Sequence, residues 1–485
     1  MWLARLQKRR AMQPSNPTTL GAVQFRYLTE AQQQRIHQAS LEILERLGVS
    51  LFNAEAVALL HKAGARVADD NRVFIPHRLV EWAWAAAPRS ITLFDREGNA
   101  VMPLEGQNAF YGNGSDCPFI LDHRTGERRQ GKLQDNVEIA RVSDALTNID
   151  FLMSGCLPTD VPEDRSNRLQ MRAMLLNSRK PIMFVTNDFE SAVDIIRAAE
   201  IIAGSPEALQ RKPQCACYIN VTGPLRHNAE SLQKLLFLAE KGLPATYTPV
   251  VLRGVNGPVT RAGAIALANA GELVGLVLAQ LRREGTPILL SGGYNDLFDM
   301  RSMIALYAAP ENYGGRPSMG RYYGLPTFGL AGASDAKIPD EQAAAEAASS
   351  LLLESLSGIN LIHDVGYLES GKCYSLEQLV ICDELIGYVK RFRQNLEVTD
   401  EMLAMDLVME LGGSSNYITH EHTLQHYRED WYPNLLDRNG FERFSASGQT
   451  TLRERALNRV NQLLAKPSLS PLAPDIQREV CEILQ

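Results

Sequence analysis

Between residues 109 and 365, eight short apolar runs alternate with longer amphipathic stretches, and most of the runs pass into Gly, Pro, Ser, Thr or Asn. They are "AFYGNGS" (109–115), "FLMSGCLP" (151–158), "PIMFVTN" (181–187), "CYINVTGPL" (217–225), "PATYTPV" (244–250), "PILLSGG" (287–293), "PTFGLAG" (326–332) and "INLIHDV" (359–365). Helical spacing fills the gaps, as in "ESLQKLLFLAEKG" and "DEQAAAEAASSLLLESLSG". Strands that alternate with helices form βαβ units in a parallel sheet. Eight such units over about 280 residues predict an α/β chain built on a (β/α)8 TIM barrel. An open doubly wound sheet is the runner-up. No GxGxxG follows a strand, which leaves its dinucleotide-binding version without support.

The flanks read differently. Residues 1–22 are polar and irregular, a flexible arm. Residues 23–105 predict an N-terminal α+β cap. Within it Thr29 caps a helix marked by Ile36, Ala39, Ile43 and Leu47, and Gly48 ends that helix. The barrel is expected over 106–397, and a C-terminal helical extension over 398–485. Trp431 and Tyr432 are candidates to pin that extension to the barrel.

The formal net charge of -7 argues against nucleic acid or an anionic membrane as the main partner. The seven cysteines are odd in number and contain no CxxC pair, which fits a reducing cytoplasm. Cys215 and Cys217 alternate along one strand and read as core thiols. The N-terminal stretch has no signal-peptide apolar run behind its basic residues. No uninterrupted apolar run reaches the roughly 18 residues of a membrane helix. The expectation is a cytoplasmic protein, and exposed apolar helices on the cap and tail would suit a homo-oligomer.

A (β/α)8 barrel keeps its chemistry at the carboxyl ends of its strands. Those ends supply Tyr111, Asn113 and Asp116, then Asn220 and Thr222, then Tyr247 and Thr248. Ser291, Tyr294 and Asp296 come next, then Ser334, Asp335 and Lys337, and last His363, Asp364 and Tyr367. Tyrosine faces attract a quaternary ammonium ion, worth about 2 kcal/mol or more each when desolvated. A neighbouring carboxylate adds Coulomb attraction. No phosphate loop GxxxxGK[ST], no HExxH and no GxSxG elbow occurs. In "HEHTLQH", His422 and His426 share a helical face, but no further ligand stands at a familiar spacing, so no metal is expected.

Five segments together resemble the trimethylamine methyltransferase family: "ASLEILERLGV…ALLHKAGARV…RVFIPHRLVEWAWAAAP", "CYINVTGPLRH", "GASDAKIPDEQAAAEA", "NLIHDVGYLESG" and "HEHTLQHYRE". The resemblance implies a (β/α)8 barrel that passes a methyl group from a methylamine to the Co(I) of a separate corrinoid protein. On that reading the chain binds no cofactor directly, and the partner carries the cobalamin. The sequence contains only standard residues, so it is similar to the branch without pyrrolysine, whose members demethylate quaternary amines such as glycine betaine. Tyr111, Tyr247 and Tyr367 then become candidates for an aromatic cage, with Tyr374 further along the last loop. His363, Asn113 and Asn220 are candidates to bind a betaine carboxylate. Asp364 would orient the His363 ring or face the ammonium, and Asp335 would add charge or pair with Lys337. Two other functions compete: a zinc-dependent barrel methyltransferase with a thiol acceptor, and a non-catalytic betaine-binding protein.

Overall fold

The computed structural model describes residues 23–68, 71–314, 318–413, 416–467 and 472–485. The arm expected over residues 1–22 lies outside them. The chain is mixed α/β.

All eight apolar runs are extended, and all pair in parallel. Gly112 in strand Phe110–Asn113 bridges Phe151, and Leu152 bridges Ile182 in strand Ile182–Phe184. That strand pairs with Cys215–Val221, which pairs with Ala245–Pro249, which pairs with Ile288–Leu289. Leu290 bridges Thr327, and Phe328–Leu330 pairs with Leu361–Val365. Leu361–Val365 then pairs with Phe110–Asn113, so the order of neighbours returns to its first member. The link through Phe151 depends on a glycine: a Cβ on Gly112 would stand 2.4 Å from the Phe151 ring.

Local chemistry sets the helices between the strands. Asp188, Asp340 and Ser375 each accept a backbone N–H in the first turn of helices Phe189–Ala203, Glu341–Ser357 and Leu376–Arg393. Gly204, Gly242 and Gly358 end their helices in the left-handed conformation.

Strand alternation divides the core into two layers. The face enclosed by the cycle carries Phe110, Phe151, Met183, Ala216, Tyr218, Leu289, Phe328 and Leu361. A hairpin, Ile91–Phe94 with Ala100–Leu104, sends Ile91, Leu93, Met102 and Leu104 into the same cluster. These side chains fill the amino-terminal end of the enclosed space. The opposite faces of the strands pack against the helices.

Two small sheets stand over the carboxyl ends. Val251–Arg253, Asn295–Asp299 and Ile304–Leu306 form one. Tyr367–Leu368, Cys373–Ser375, Phe119–Leu121 and Arg128–Gln130 form the other. Both are built from loops that follow parallel strands.

Helices Glu30–Glu42, Ala54–Lys62 and His77–Ala86 pack on the 22-residue helix Arg261–Arg282. By length and mean hydropathy that helix passes the test for a membrane span, but Asn269 and Glu272 interrupt its apolar run, as the sequence reading of no uninterrupted membrane-length stretch has it. Here most of it is covered by its own chain, and each buried Leu or Val in it stabilises the fold by about 1.5–3 kcal/mol. At the other terminus, helix Leu452–Leu464 packs on Leu376–Arg393, and Pro474–Ile483 packs on Phe189–Ala203. Trp431 lies edge-on to Tyr388 at 5.3 Å, whereas Tyr432 is exposed. Leu396, Met409, Ile418 and Phe441 between these helices are exposed as well.

Candidate active site

In strand Cys215–Val221, Ala216 and Tyr218 face the enclosed space, and Asn220 two residues on is the exposed member of the strand. The register sets Tyr218 beside Thr246 and Asn220 beside Thr248, whose hydroxyls are 3.2 Å apart on one face. The His363 ring stacks on Phe328 at 4.2 Å and 9°, and Tyr218 tilts against both at 5.6 Å and 4.9 Å. Below these three rings the apolar cluster is continuous. They form a floor, and Asn220, one step nearer the carboxyl ends on the same face, is exposed.

Asp364 owes its place to a bulge. Between Ile362 and Val365 the strand carries one residue more than its partner between Tyr111 and Asn113. An extra residue breaks alternation and re-aims a side chain. Asp364 takes φ +72°, and its Oδ1 lies 2.6 Å from His363 Nδ1. A non-glycine residue in that region costs of order 1–3 kcal/mol, which the surrounding pairing must offset. With Nδ1–H donated to Asp364, His363 Nε2 points away from the pair. That nitrogen is buried and has no hydrogen-bond partner.

The walls are acidic and aromatic. Asp116, at φ +63°, accepts from Ser154 Oγ at 3.0 Å and Gln170 Nε2 at 3.1 Å. Burial raises its carboxyl above the usual range; those hydrogen bonds oppose the shift, and the negative charge of Asp364 adds to it. The Tyr307 and Tyr367 rings stand 6.4 Å apart at 28°. Burial, then the charge of Asp364, pushes both hydroxyls well above their ordinary value, and Asp296 adds to the effect at Tyr307. The Tyr367 hydroxyl donates to the Ser115 carbonyl. Three carboxyl groups, from Asp116, Asp296 and Asp364, therefore act on one pair of tyrosine rings. A cation about 4 Å from one carboxylate gains about 4 kcal/mol at an effective dielectric of 20, roughly twice what one ring face supplies. The charges would hold the cation and the rings would select its shape.

The structure sets His363 against Asp364, with Tyr367 three residues further along the chain and Asn220 on the same enclosed side. Tyr374 stands one row back, edge-on to Tyr367 at 6.1 Å and 86°. Asn113 spends its amide on the second run, accepting from Met153 N at 2.8 Å and donating to Met153 O at 2.6 Å. Asp335 clamps loops: it accepts from Tyr307 N at 2.9 Å, Ala308 N at 3.2 Å and Ser370 Oγ at 2.8 Å. Lys337 donates to the Asp335 carbonyl at 2.7 Å.

Tyr111 and Tyr247 face away from the site, which corrects their expected place in a cage. Phe110 points inward, so Tyr111 points outward, and its hydroxyl lies 2.8 Å from Ser355 Oγ. Thr246 and Thr248 share the Tyr218 face, so Tyr247 turns to the helices and bonds His227 Nδ1 at 2.7 Å. Two further rings, Tyr218 and Tyr307, stand outside the strand-end set. Tyr218 was readable, because it shares parity with Asn220. Tyr307 follows a rim strand, and no spacing in the sequence marks it.

The "HEHTLQH" histidines lie elsewhere. The His422 and His426 rings are 4.5 Å apart, and His426 Nδ1 lies 2.7 Å from Glu429. Among the described residues no group of three or more His, Cys, Asp or Glu is arranged to hold a metal ion.

The trimethylamine methyltransferase (MTTB) family profile matches residues 4–484. The glycine betaine methyltransferase of Desulfitobacterium hafniense (strain Y51) is 29% identical over 463 residues, covering 94% of this chain and 96% of that protein. The trimethylamine methyltransferase MttB of D. hafniense (strain DSM 10664 / DCB-2) is 28% identical, covering 93% and 91%. MttB of Methanosarcina barkeri is also 28% identical, covering 96% of each chain. Among solved structures, the hydroxylamine complex of MtmB aligns with a TM-score of 0.47 at 11% identity, covering 91% of this chain and 96% of that one. With the family matched across nearly its whole length, this chain belongs to the trimethylamine methyltransferase family.

Proposed function

We propose that this chain removes a methyl group from a small quaternary amine, glycine betaine or a similar betaine, and passes it to a separate corrinoid protein, leaving a tertiary amine. What supports the proposal is the family match over residues 4–484, together with the Tyr307–Tyr367 ring pair and the Asp364-held His363, whose Nε2 is buried without a partner. We further propose that the cyclic order of parallel strands is a (β/α)8 barrel, its amino-terminal end plugged by the hairpin and its carboxyl end open. A reducing compartment suits its seven unbridged cysteines.

The chemistry divides between the chain and its partner. A quaternary nitrogen is permanently charged, so it departs as a neutral amine and needs no acid. The corrinoid, carried by the partner, supplies the Co(I) nucleophile. The chain's residues hold the cation, orient one methyl toward the open end and keep water off it. The donor set fits a carried rather than a resident corrinoid: the walls present carboxylates and rings, and the nearest imidazole is fixed in the floor by Asp364. Glycine betaine carries its carboxylate one carbon from the nitrogen. His363 Nε2, the ring nitrogen left without a partner while Nδ1 is held by Asp364, would meet that group in a charge-assisted hydrogen bond.

Thermal-shift screening against glycine betaine, carnitine, choline and trimethylamine tests the proposal. A ligand at about a hundred times its Kd stabilises by about 2.7 kcal/mol. The expected order places carboxylate-bearing quaternary amines first and trimethylamine last. His363→Ala should weaken glycine betaine about tenfold or more and choline far less, since a charge-assisted bond is worth about 1.5–3 kcal/mol. Equal losses for both ligands would remove His363 from the carboxylate role.

A further inference from the structure

The turn that leaves strand Ile288–Leu289 is gripped from behind. Glu272 lies in the middle of helix Arg261–Arg282 and is 1% exposed. Its two carboxyl oxygens accept three consecutive backbone N–H groups. Gly292 donates to Oε2 at 3.0 Å, Gly293 donates to the same oxygen at 3.3 Å, and Ser291 donates to Oε1. Gly292 and Gly293 stand at φ +70° and +92°, in the left-handed region. Successive amides in such a turn form a concave nest for an anion. Here the chain's own side chain fills it.

Stability does not account for that choice. Burying a carboxyl costs folding free energy that a well-packed apolar residue would not. The residues downstream of the turn explain it. Asn295 returns a hydrogen bond to Gly293 O at 2.9 Å, and Asp296 comes next. Strand Asn295–Asp299 pairs with Ile304–Leu306, and the residue after that partner is Tyr307. The turn held by Glu272 is thus the root of the excursion that delivers Asp296 and Tyr307 to the site.

We infer that Glu272 is a positioning residue: by gripping the Ser291–Gly293 turn it sets where Asp296 and Tyr307 stand against a bound quaternary nitrogen. The inference rests on the quaternary-amine reading of the site.

The fold supplies its own control. Glu384, 5% exposed on helix Leu376–Arg393, accepts the N–H groups of Asn434, Leu435 and Leu436 at 2.8, 2.8 and 3.1 Å. It makes the same kind of grip, but on the C-terminal tail. Full-length wild type, Glu272→Gln, Glu272→Asp and Glu384→Gln would be compared for thermal midpoint and for the Kd of glycine betaine, choline and tetramethylammonium by calorimetry. Both Gln variants should change the midpoint. Only Glu272→Gln should raise Kd, by about tenfold for all three amines, because the loss is to the shared cationic head. Glu272→Asp keeps the charge with a shorter reach and should fall between; it carries the test if Glu272→Gln does not fold. Wild-type binding with Kd unchanged within about twofold in the folded Glu272 variants would overturn the inference alone, as would an equal loss in Glu384→Gln. If wild type binds none of the three amines, the reading of the site falls first.

Discussion

His363 and Asp364 show how much one inserted residue changes. Without the bulge, alternation would send Asp364 toward the helices, away from His363. With it, the two side chains meet at 2.6 Å over a floor of Phe328 and Tyr218. Tyr247 offers a contrast. Tyr247→Phe leaves the buried His227 Nδ1 without its partner and should cost about 1–3 kcal/mol in urea unfolding, with the ligand Kd unchanged. Tyr367→Ala should weaken every quaternary ligand about tenfold or more, since it removes a ring worth about 2 kcal/mol and opens the wall.

Parity also explains what the sequence could tell at the scale of elements. The strands are buried on both faces and read as nearly continuous apolar runs, so their existence was legible and their phase was not. That is why Tyr111 and Tyr247 looked like site residues although they face the helices. Helix limits were legible because caps are local, as at Thr29, Asp340 and Gly358. The hairpin that carries Tyr307 was not, because its strand Asn295–Asp299 is held by Val251–Arg253, more than forty residues earlier. Helix Arg261–Arg282 lends itself to two measurements. Gly275 faces the Tyr247 ring, and a Cβ there would stand 2.4 Å from it. Gly275→Ala should therefore destabilise by about 1–3 kcal/mol through overpacking. Burial pushes Glu272 up to about 7 from an ordinary 4.5, against the hydrogen bonds from the turn. The folded chain then keeps a proton that the unfolded chain releases between those values. The stability this group contributes is full below about 4.5 and is lost as pH rises through about 7, a change of about 3 kcal/mol. Urea unfolding of wild type and Glu272→Gln across that window should show the gap between them moving by about that amount; a constant gap would contradict it.

At the scale of the whole molecule, the parallel runs, whose order of neighbours returns to its first member, put the named wall residues after their carboxyl ends and an apolar cluster behind them. Asp116 comes from one strand end, Asp296 and Tyr307 from a second excursion, and Asp364 and Tyr367 from a third, so the site needs distant parts of the chain to meet. The family match spans residues 4–484, so cap and tail belong to the same inherited unit as the strands. The central claim is that this unit demethylates a quaternary nitrogen without an acid of its own. The most direct test mixes the full-length chain with glycine betaine and chemically reduced cob(I)alamin, and counts dimethylglycine by mass spectrometry, with trimethylamine run in parallel. One dimethylglycine is expected for each reduced cobalamin consumed, with no demethylation of trimethylamine. Glycine betaine that binds but yields no dimethylglycine, with either free cob(I)alamin or a corrinoid protein as acceptor, would contradict it.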